Sequence, residues 1–414
     1  MTATNLLATS DGVPLKLLLR RAERMNRLKS LALVAPLLIF VMIVFIAPIA
    51  SMLAIAVQNP EVAATLPKTL VALKDWDGKS TPGEPVFAAF ADDLAQAQKD
   101  RTIGFVGKRI NYEVPGARSR FLKAGRMIDA GGVPPWKDKF LSADKDWGDV
   151  EFWTILKRAG STVTPYYLLT SVDLRQDASG AIVHTQPDQS IFIDVFSRTI
   201  WISLLVTALT LVLGYPVAHL LAILPNKYAN LLMILVLLPF TTSILVRTTA
   251  WIVLLQTNGV INDLLMLLHL ESSRMQLIFN RVGTVLAMTH IQLPFTVLPI
   301  FSVMKSISPN LLRAARSLGA GPLRAFVTVY MPQTLPGVGA GCLLTFILCL
   351  GYYITPALVG GPQDQMVSYF VALYTNRDLN WGQAAALGSL LLFITLALYA
   401  IFNRFVGIDK VKFG

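Results

Sequence analysis

Gly78-Lys79-Ser80 is the one stretch of this chain with the residue types of a phosphate-cradling loop. Such a loop needs a further glycine five residues before Gly78, so that successive backbone N–H groups can wrap the phosphates, and that position is Leu73. The stretch is therefore no nucleotide site. His184, His219, His269 and His290 are scattered, with no cysteine or carboxylate at ligand spacing, which argues against a metal centre. Cys342 and Cys349 stand seven apart on one face of an apolar helix and read as packing residues rather than a disulfide framework. No acidic residue falls deep in an apolar stretch, so the paired carboxylates of a proton-coupled carrier are missing. Arg247 does fall inside one. A charge there costs about 2.5–3.5 kcal/mol on insertion scales, so it either faces a polar cavity or escapes by snorkelling or pairing. Tyr352 and Tyr353, beside Gly351 and Pro356, either line the same cavity or simply pack. Asn258, Asn262 and Asp263 either border its mouth or cap a short helix.

The other candidate is a basic segment between apolar runs, "LLRAARSLGAGPLRAFVTVYMPQTLPG", residues 311–337. Ser308 suits a helix N-cap, Pro309 the first helical position and Gly319 the residue just past the last turn. Leu311, Leu312, Ala315 and Leu318 recur at helical spacing, with Arg313 and Arg316 on the flank. Gly321-Pro322 then breaks the chain, and a second helix is expected to climb towards a further break at Pro332. A short amphipathic helix of this kind either lies in lipid headgroups with its arginines on phosphate or offers a surface to another protein.

The elements that must hold these residues are largely set by hydropathy. Of 414 residues, 54% are hydrophobic and 15% charged, and the mean hydropathy is +0.56. This points to a polytopic membrane protein. Apolar stretches long enough to span a bilayer fall at 31–57, 197–224, 230–256, 282–304, 335–359 and 383–406. Prolines Pro294, Pro299 and Pro356 interrupt the fourth and fifth, which neighbouring helices can tolerate. The formal charge of +11 resides in the N-terminal tail, the second-to-third and fourth-to-fifth connections and the C-terminal tail. Lys16, Arg20, Arg21, Arg24, Arg27 and Lys29 outweigh Asp11 and Glu23 in the first of these, and Arg404, Lys410 and Lys412 outweigh Asp409 in the last. Lys227 lies in the second-to-third connection. Lys305, Arg313, Arg316 and Arg324 in the fourth-to-fifth connection meet no acid at all. The positive-inside rule then places both termini and the 305–332 loop in the cytoplasm. The first apolar run is too long for a cleaved secretory signal and reads as a retained span. Because the basic excess follows topology, a nucleic-acid surface is not indicated.

The expected order is a cytoplasmic tail (1–30), a first span (31–57), an outer insert (58–190), a core of five helices (191–406) and a second cytoplasmic tail (407–414). The insert balances its charges and carries Trp76, Phe87, Phe90, Phe105, Phe121, Trp136, Trp147 and Trp153, enough for a small core. Residues 163–185 read as two strands around Asp-Ala-Ser-Gly, and 84–100 as a helix. A small α+β domain follows. It has no catalytic spacing and reads as a spacer or docking surface.

At the basic loop the chain resembles the permease subunits of ABC importers. Arg313-Ala314-Ala315, Gly319, and Val329, Met331 and Pro332 fall on the spacing of their cytoplasmic Glu-Ala-Ala…Gly…Ile-x-Leu-Pro pattern. From about 197 to 406 it is similar to the spermidine/putrescine permease family, most clearly in "SLLVTALTLVLGYPVAHLLA" and "LLPFTTSILVRTTAWIVLLQTNGVIN". The insert lies outside the likeness. The resemblance implies an all-α membrane core of about six helices in the type I importer arrangement, in the bacterial inner membrane, and a transport subunit rather than an enzyme. It implies no cofactor on this chain, with ATP and Mg on a partner ATPase dimer. The other implied partners are a second permease subunit and a periplasmic solute-binding protein, with no nucleic acid. It makes 309–319 the helix that couples ATP hydrolysis to alternating access, and a polyamine or related amino compound the expected solute. Opines, ω-amino acids, phosphonates or an ion-coupled carrier are the alternatives. Arg313 stands where the family pattern has glutamate, so the matching surface on the ATPase is expected to differ.

Overall fold

The computed structural model describes residues 15–270 and 273–406. Asp11, Asp409, Lys410 and Lys412 of the two basic tails lie outside the described residues. The chain divides into two units, one ending at Ile55 and one beginning at Ala56. In the first, α1 (Leu15–Val41), a π-helical turn (Met42–Ile46) and α2 (Ala47–Ile55) run on as one helix. Its segment Glu23–Ile55 is long and apolar enough to cross a membrane. Part of the expected N-terminal tail is thus a continuation of this helix. The π turn has a local cause. Pro48 has no N–H and its ring crowds the carbonyl four residues back, and widening the preceding turn makes room without ending the helix.

The second unit opens with the insert. Short helices α3 (Pro60–Thr65), α4 (Pro67–Ala72), α5 (Glu84–Lys99), α6 (Ile103–Asn111), α7 (Ala117–Asp129), α8 (Trp136–Ala143) and α9 (Val150–Ala159) surround an aromatic core. Phe87, Phe90, Phe121, Phe140, Trp147, Phe152 and Trp153 are all buried there. Their rings meet mostly edge-to-face, as at Phe87–Trp153 (5.0 Å) and Trp147–Phe152 (5.1 Å), which the ring quadrupole favours. The β-strands among the described residues form one hairpin, β1 (Leu174–Gln176) against β2 (Ile182–His184), turning at Asp177–Gly180. Residues Tyr166–Thr170, read from sequence as extended, form a helical turn, α10. The reason lies at its start, where Thr164 Oγ1 accepts from the Tyr166 N–H (3.1 Å) and Pro165 presets a helical φ.

The chain enters and leaves this domain at one point. Gln58 and Val163 form an antiparallel bridge, flanked by Asn59 N–H to Thr162 O (2.9 Å) and Thr164 N–H to Val57 O (2.8 Å). Buried Asn59 ties the neck further, donating to Ala159 O (2.6 Å) and Ser161 O (3.1 Å) and accepting from Arg109 Nε (2.6 Å). Arg109 in turn pairs with Glu113 (2.8 Å), which also holds Arg158 (2.7 Å).

After the hairpin the chain is helical. The long helices α11 (Phe192–Ile223), α15 (Arg281–Ser306) and α18 (Met331–Leu350) pack together, with α20 (Val367–Asn376) and α21 (Trp381–Val406) beside them. Including the N-terminal helix, six described helices are long and apolar enough to span a bilayer. The expected third span, 230–256, is divided into α12 (Asn226–Thr241) and α13 (Ile244–Leu255), followed by α14 (Val260–Leu267). The break follows Pro239, where Thr241 and Thr242 hydroxyls donate to the Leu238 and Pro239 carbonyls (both 2.8 Å). Such local bonds compete with the helical ladder. The expected fifth span, 335–359, begins earlier and ends at Leu350, with α19 (Ile354–Val359) separate after Gly351.

The packing of the three long helices depends on small and hydroxyl side chains. A Cβ on Gly341 of α18 would lie 2.7 Å from Thr296 O of α15, so only glycine allows that approach. Thr296 Oγ1 donates to Thr210 of α11 (2.9 Å) and meets Thr345 of α18 (2.6 Å), all three buried.

Candidate functional site

The basic loop forms as its end signals dictate. Ser308 Oγ accepts from the Asn310 N–H (3.4 Å) at the start of α16 (Pro309–Ser317), and Gly319 takes a left-handed φ of +87° just past its end. Pro322 opens α17 (Pro322–Ala325), which passes through a π turn (Phe326–Tyr330) into α18. Pro332 is therefore not a break: the wider turn takes its ring, as it does before Pro48, and the helix runs unbroken from Pro322 to Leu350.

No residue of α16 is buried. Arg313, Ala314, Arg316 and Arg324 are exposed and Ala315 is partly so. Leu318 and Leu323 are 89% and 77% exposed. None of Lys305, Arg313, Arg316 or Arg324 makes an ion pair among the described residues. Arginines flanked by uncovered leucines form a surface that either lipid headgroups or a partner protein can cover. Behind it, Leu312 and Phe326 pack on the core cluster of α11 and α15. His219 of α11 meets Phe326 and Tyr330 edge-on (5.2 and 5.3 Å), and Tyr215 OH bonds Thr334 Oγ1 (3.1 Å). The knuckle is thus seated on α11 through the π turn that carries Val329, one residue before buried Tyr330. Met331 is exposed.

Within the membrane part, Arg247 sits on α13 with its Nε buried and without a hydrogen-bond partner. It lies near His290 of α15 and Tyr352 after α18, close enough for charge interaction with both. One turn along α13, Trp251 Nε1 donates to His290 Nδ1 (3.2 Å), and Thr248 joins Thr355 (3.0 Å), which reaches Tyr352 OH (3.4 Å). The structure thus gathers Arg247 and Tyr352, while Tyr353 is 39% exposed and takes no part in these bonds. Buried Asn262 is a loop tie, bonded both ways to Met275 (2.9 and 3.0 Å), and Asp263 pairs with Arg274 (2.8 Å). Cys349 is buried and Cys342 partly so, both as free thiols in packing positions.

The profile of the family described as "Binding-protein-dependent transport system inner membrane component" matches residues 210–408. The spermidine/putrescine transport system permease protein PotB of Escherichia coli K12 is 32% identical over 196 residues, which cover 47% of this chain and 71% of that protein. This chain belongs to that family. It is a multi-pass inner-membrane permease subunit of an ABC importer, and not an enzyme. The inner membrane ABC transporter permease protein YdcU of the same organism is 33% identical over 230 residues, 52% of this permease and 72% of its own length. A solved bacterial ABC transporter that imports the acidic polysaccharide alginate is 18% identical, with a TM-score of 0.42, over 53% of the permease and 80% of its own chain. The matched half of the permease contains the whole basic knuckle and the Arg247 cluster, whereas the family profile begins after the insert.

Sequence reading did not single out Trp251, Thr248, Thr355, His219 or His290 as site residues. For Trp251 a signal existed, since it follows Arg247 by one helical turn. His290 and Thr355 carry none, because only tertiary packing brings them to α13.

Proposed function

We propose that this permease moves a small amine-bearing solute, a polyamine or a related amino compound, by alternating access driven from a separate ATPase dimer. The single observation behind this reading is the likeness to the PotB permeases over the half of the chain that carries the knuckle. In this reading 305–332 faces the cytoplasm with both termini, because the unopposed cations collect there. Arg313, Ala314, Ala315 and Gly319 form the docking face. Val329, Met331 and Pro332 connect it to α18, so a push on α16 reaches α11 through Phe326 and Tyr330. ATP and Mg act on the partner, a soluble binding protein delivers the solute, and a second permease subunit completes the pathway. The test is reconstitution of the complete importer in vesicles: ATP-dependent uptake of labelled spermidine or putrescine supports the reading, and uptake without the ATPase overturns it. Arg313→Glu is expected to lower co-purification with the native ATPase several-fold, and a yield equal to wild type contradicts the docking role of this residue.

One observation favours a narrower solute class. Arg247 is a cation beside Tyr352 with no ion-pair partner among the described residues, and no carboxylate stands deep in the spans to receive a polycation. A solute carrying a carboxylate as well as an amine would satisfy it. Competition of 4-aminobutyrate against putrescine for uptake separates the two, and Arg247→Gln is expected to weaken transport of the carboxylate-bearing solute more.

A further inference from the structure

A cleft of about 580 Å³ lies where the insert meets the turn between α20 and α21. Lys108 and Arg118 come to it from the insert, and Arg377, Asp378 and Leu379 from the turn. Three cations therefore face one carboxylate, and none of the three makes an ion pair among the described residues. Tyr112, Tyr166 and Tyr374 contribute to the wall. Lys108 Nζ donates to the carbonyls of Asp378 and Leu379, the latter at 3.3 Å, which leaves one of an ammonium's three protons free. Those bonds hold the turn in an uncommon shape, with Leu379 at a left-handed φ of +51° and its side chain exposed. Burial, and after it the neighbouring Arg118, push the Lys108 ammonium below its usual range against the opposing pull of Asp378.

The level of the cleft identifies its ligand. The apolar span of α21 begins at Trp381, which is 58% exposed. Exposed tryptophan at a span end marks the headgroup region, and Arg377–Asn380 immediately precede it. Gln383, a wall residue inside the span's first turn, donates to Ser171 (2.9 Å), and the Lys108 bonds to the Asp378 and Leu379 carbonyls hold the insert's cations at this same level. We propose that the cleft seats the phosphate headgroup of an anionic phospholipid, bound by Lys108, Arg118 and Arg377, with Leu379 and Trp381 against its chains.

The test places the full permease in nanodiscs of phosphatidylcholine alone or mixed equally with phosphatidylglycerol and counts retained lipids by native mass spectrometry. Wild type is expected to retain phosphatidylglycerol at least about tenfold more strongly than Lys108→Gln/Arg118→Gln/Arg377→Gln, with phosphatidylcholine retention unchanged. Should the triple variant fail to fold, Arg118→Gln/Arg377→Gln alters only exposed side chains, keeps the Lys108 bonds and decides the matter. Equal retention overturns the proposal. Two further results also overturn it: inorganic phosphate stabilising wild type while lipid retention is indifferent to the substitutions, or loss of binding-protein docking with lipid retention intact. Lipid retention needs no nucleotide or solute, so its failure is distinct from a failure of transport.

Discussion

Asp173 illustrates how much a single residue does where the insert rejoins the membrane part. Its backbone is left-handed at φ +56°, a conformation aspartate tolerates better than most residues. The buried carboxylate accepts from the N–H groups of Ile191 and Phe192 (both 3.0 Å) and of Ile193 (2.7 Å), the open end of α11. A negative charge there satisfies orphan donors and opposes the helix dipole. Asp173→Ala is expected to destabilise the purified permease by about 1–2 kcal/mol, and Asp173→Asn by less, read as melting temperature in detergent. From sequence this residue was only part of a hairpin, since its bonding partners, Ile191 to Ile193, lie ahead of the expected span at 197–224, where hydropathy marked no helix start. Ser308 and Gly319, by contrast, were legible, because capping is settled within a few residues. Arg247 was legible as an anomaly. Its neighbours His290 and Thr355 were not, because nothing local marks them.

At the scale of elements, the seam of α11, α15 and α18 is set by the absence of side chains at chosen points. A β-branched residue at Gly341 must displace Thr296, whose carbonyl already lies 2.7 Å from where its Cβ would be. Gly341→Val is expected to cost about 1–3 kcal/mol through overpacking and to disturb the Thr210–Thr296–Thr345 bonds. Gly351→Ala, with one neighbour at 4.0 Å, serves as the mild control. Thermal unfolding of both variants checks the contrast. Hydropathy located the spans because burial in lipid is a bulk property. It missed the division after Thr241, which depends on two hydroxyls and a missing N–H, and it read Pro332 as a stop because a π turn leaves no compositional trace.

For the whole second unit, the neck at Gln58 and Val163 makes a clear prediction. Removing 60–161 and joining the ends with a short Gly/Ser linker leaves the Asp173 cap and the Ser171–Gln383 bond in place. The shortened chain is expected to insert into membranes as a monodisperse protein, measured by size-exclusion chromatography, while losing the strong phosphatidylglycerol retention that needs Lys108 and Arg118. If the insert also receives the binding protein, uptake falls as well. An aggregated product would mean that the aromatic core supports the membrane helices and not only itself. The aromatic content announced an independent core, but its doorway could not be read, because the pairing joins residues more than a hundred positions apart.

That doorway also bears on ancestry and on engineering. A chain that departs and returns through adjoining backbone atoms, Val57 O and Thr164 N at 2.8 Å, leaves its host path unaltered whether the excursion is long or short. Such a graft needs one recombination event to acquire and one to discard, and a reporter whose own ends lie side by side would fit the same socket.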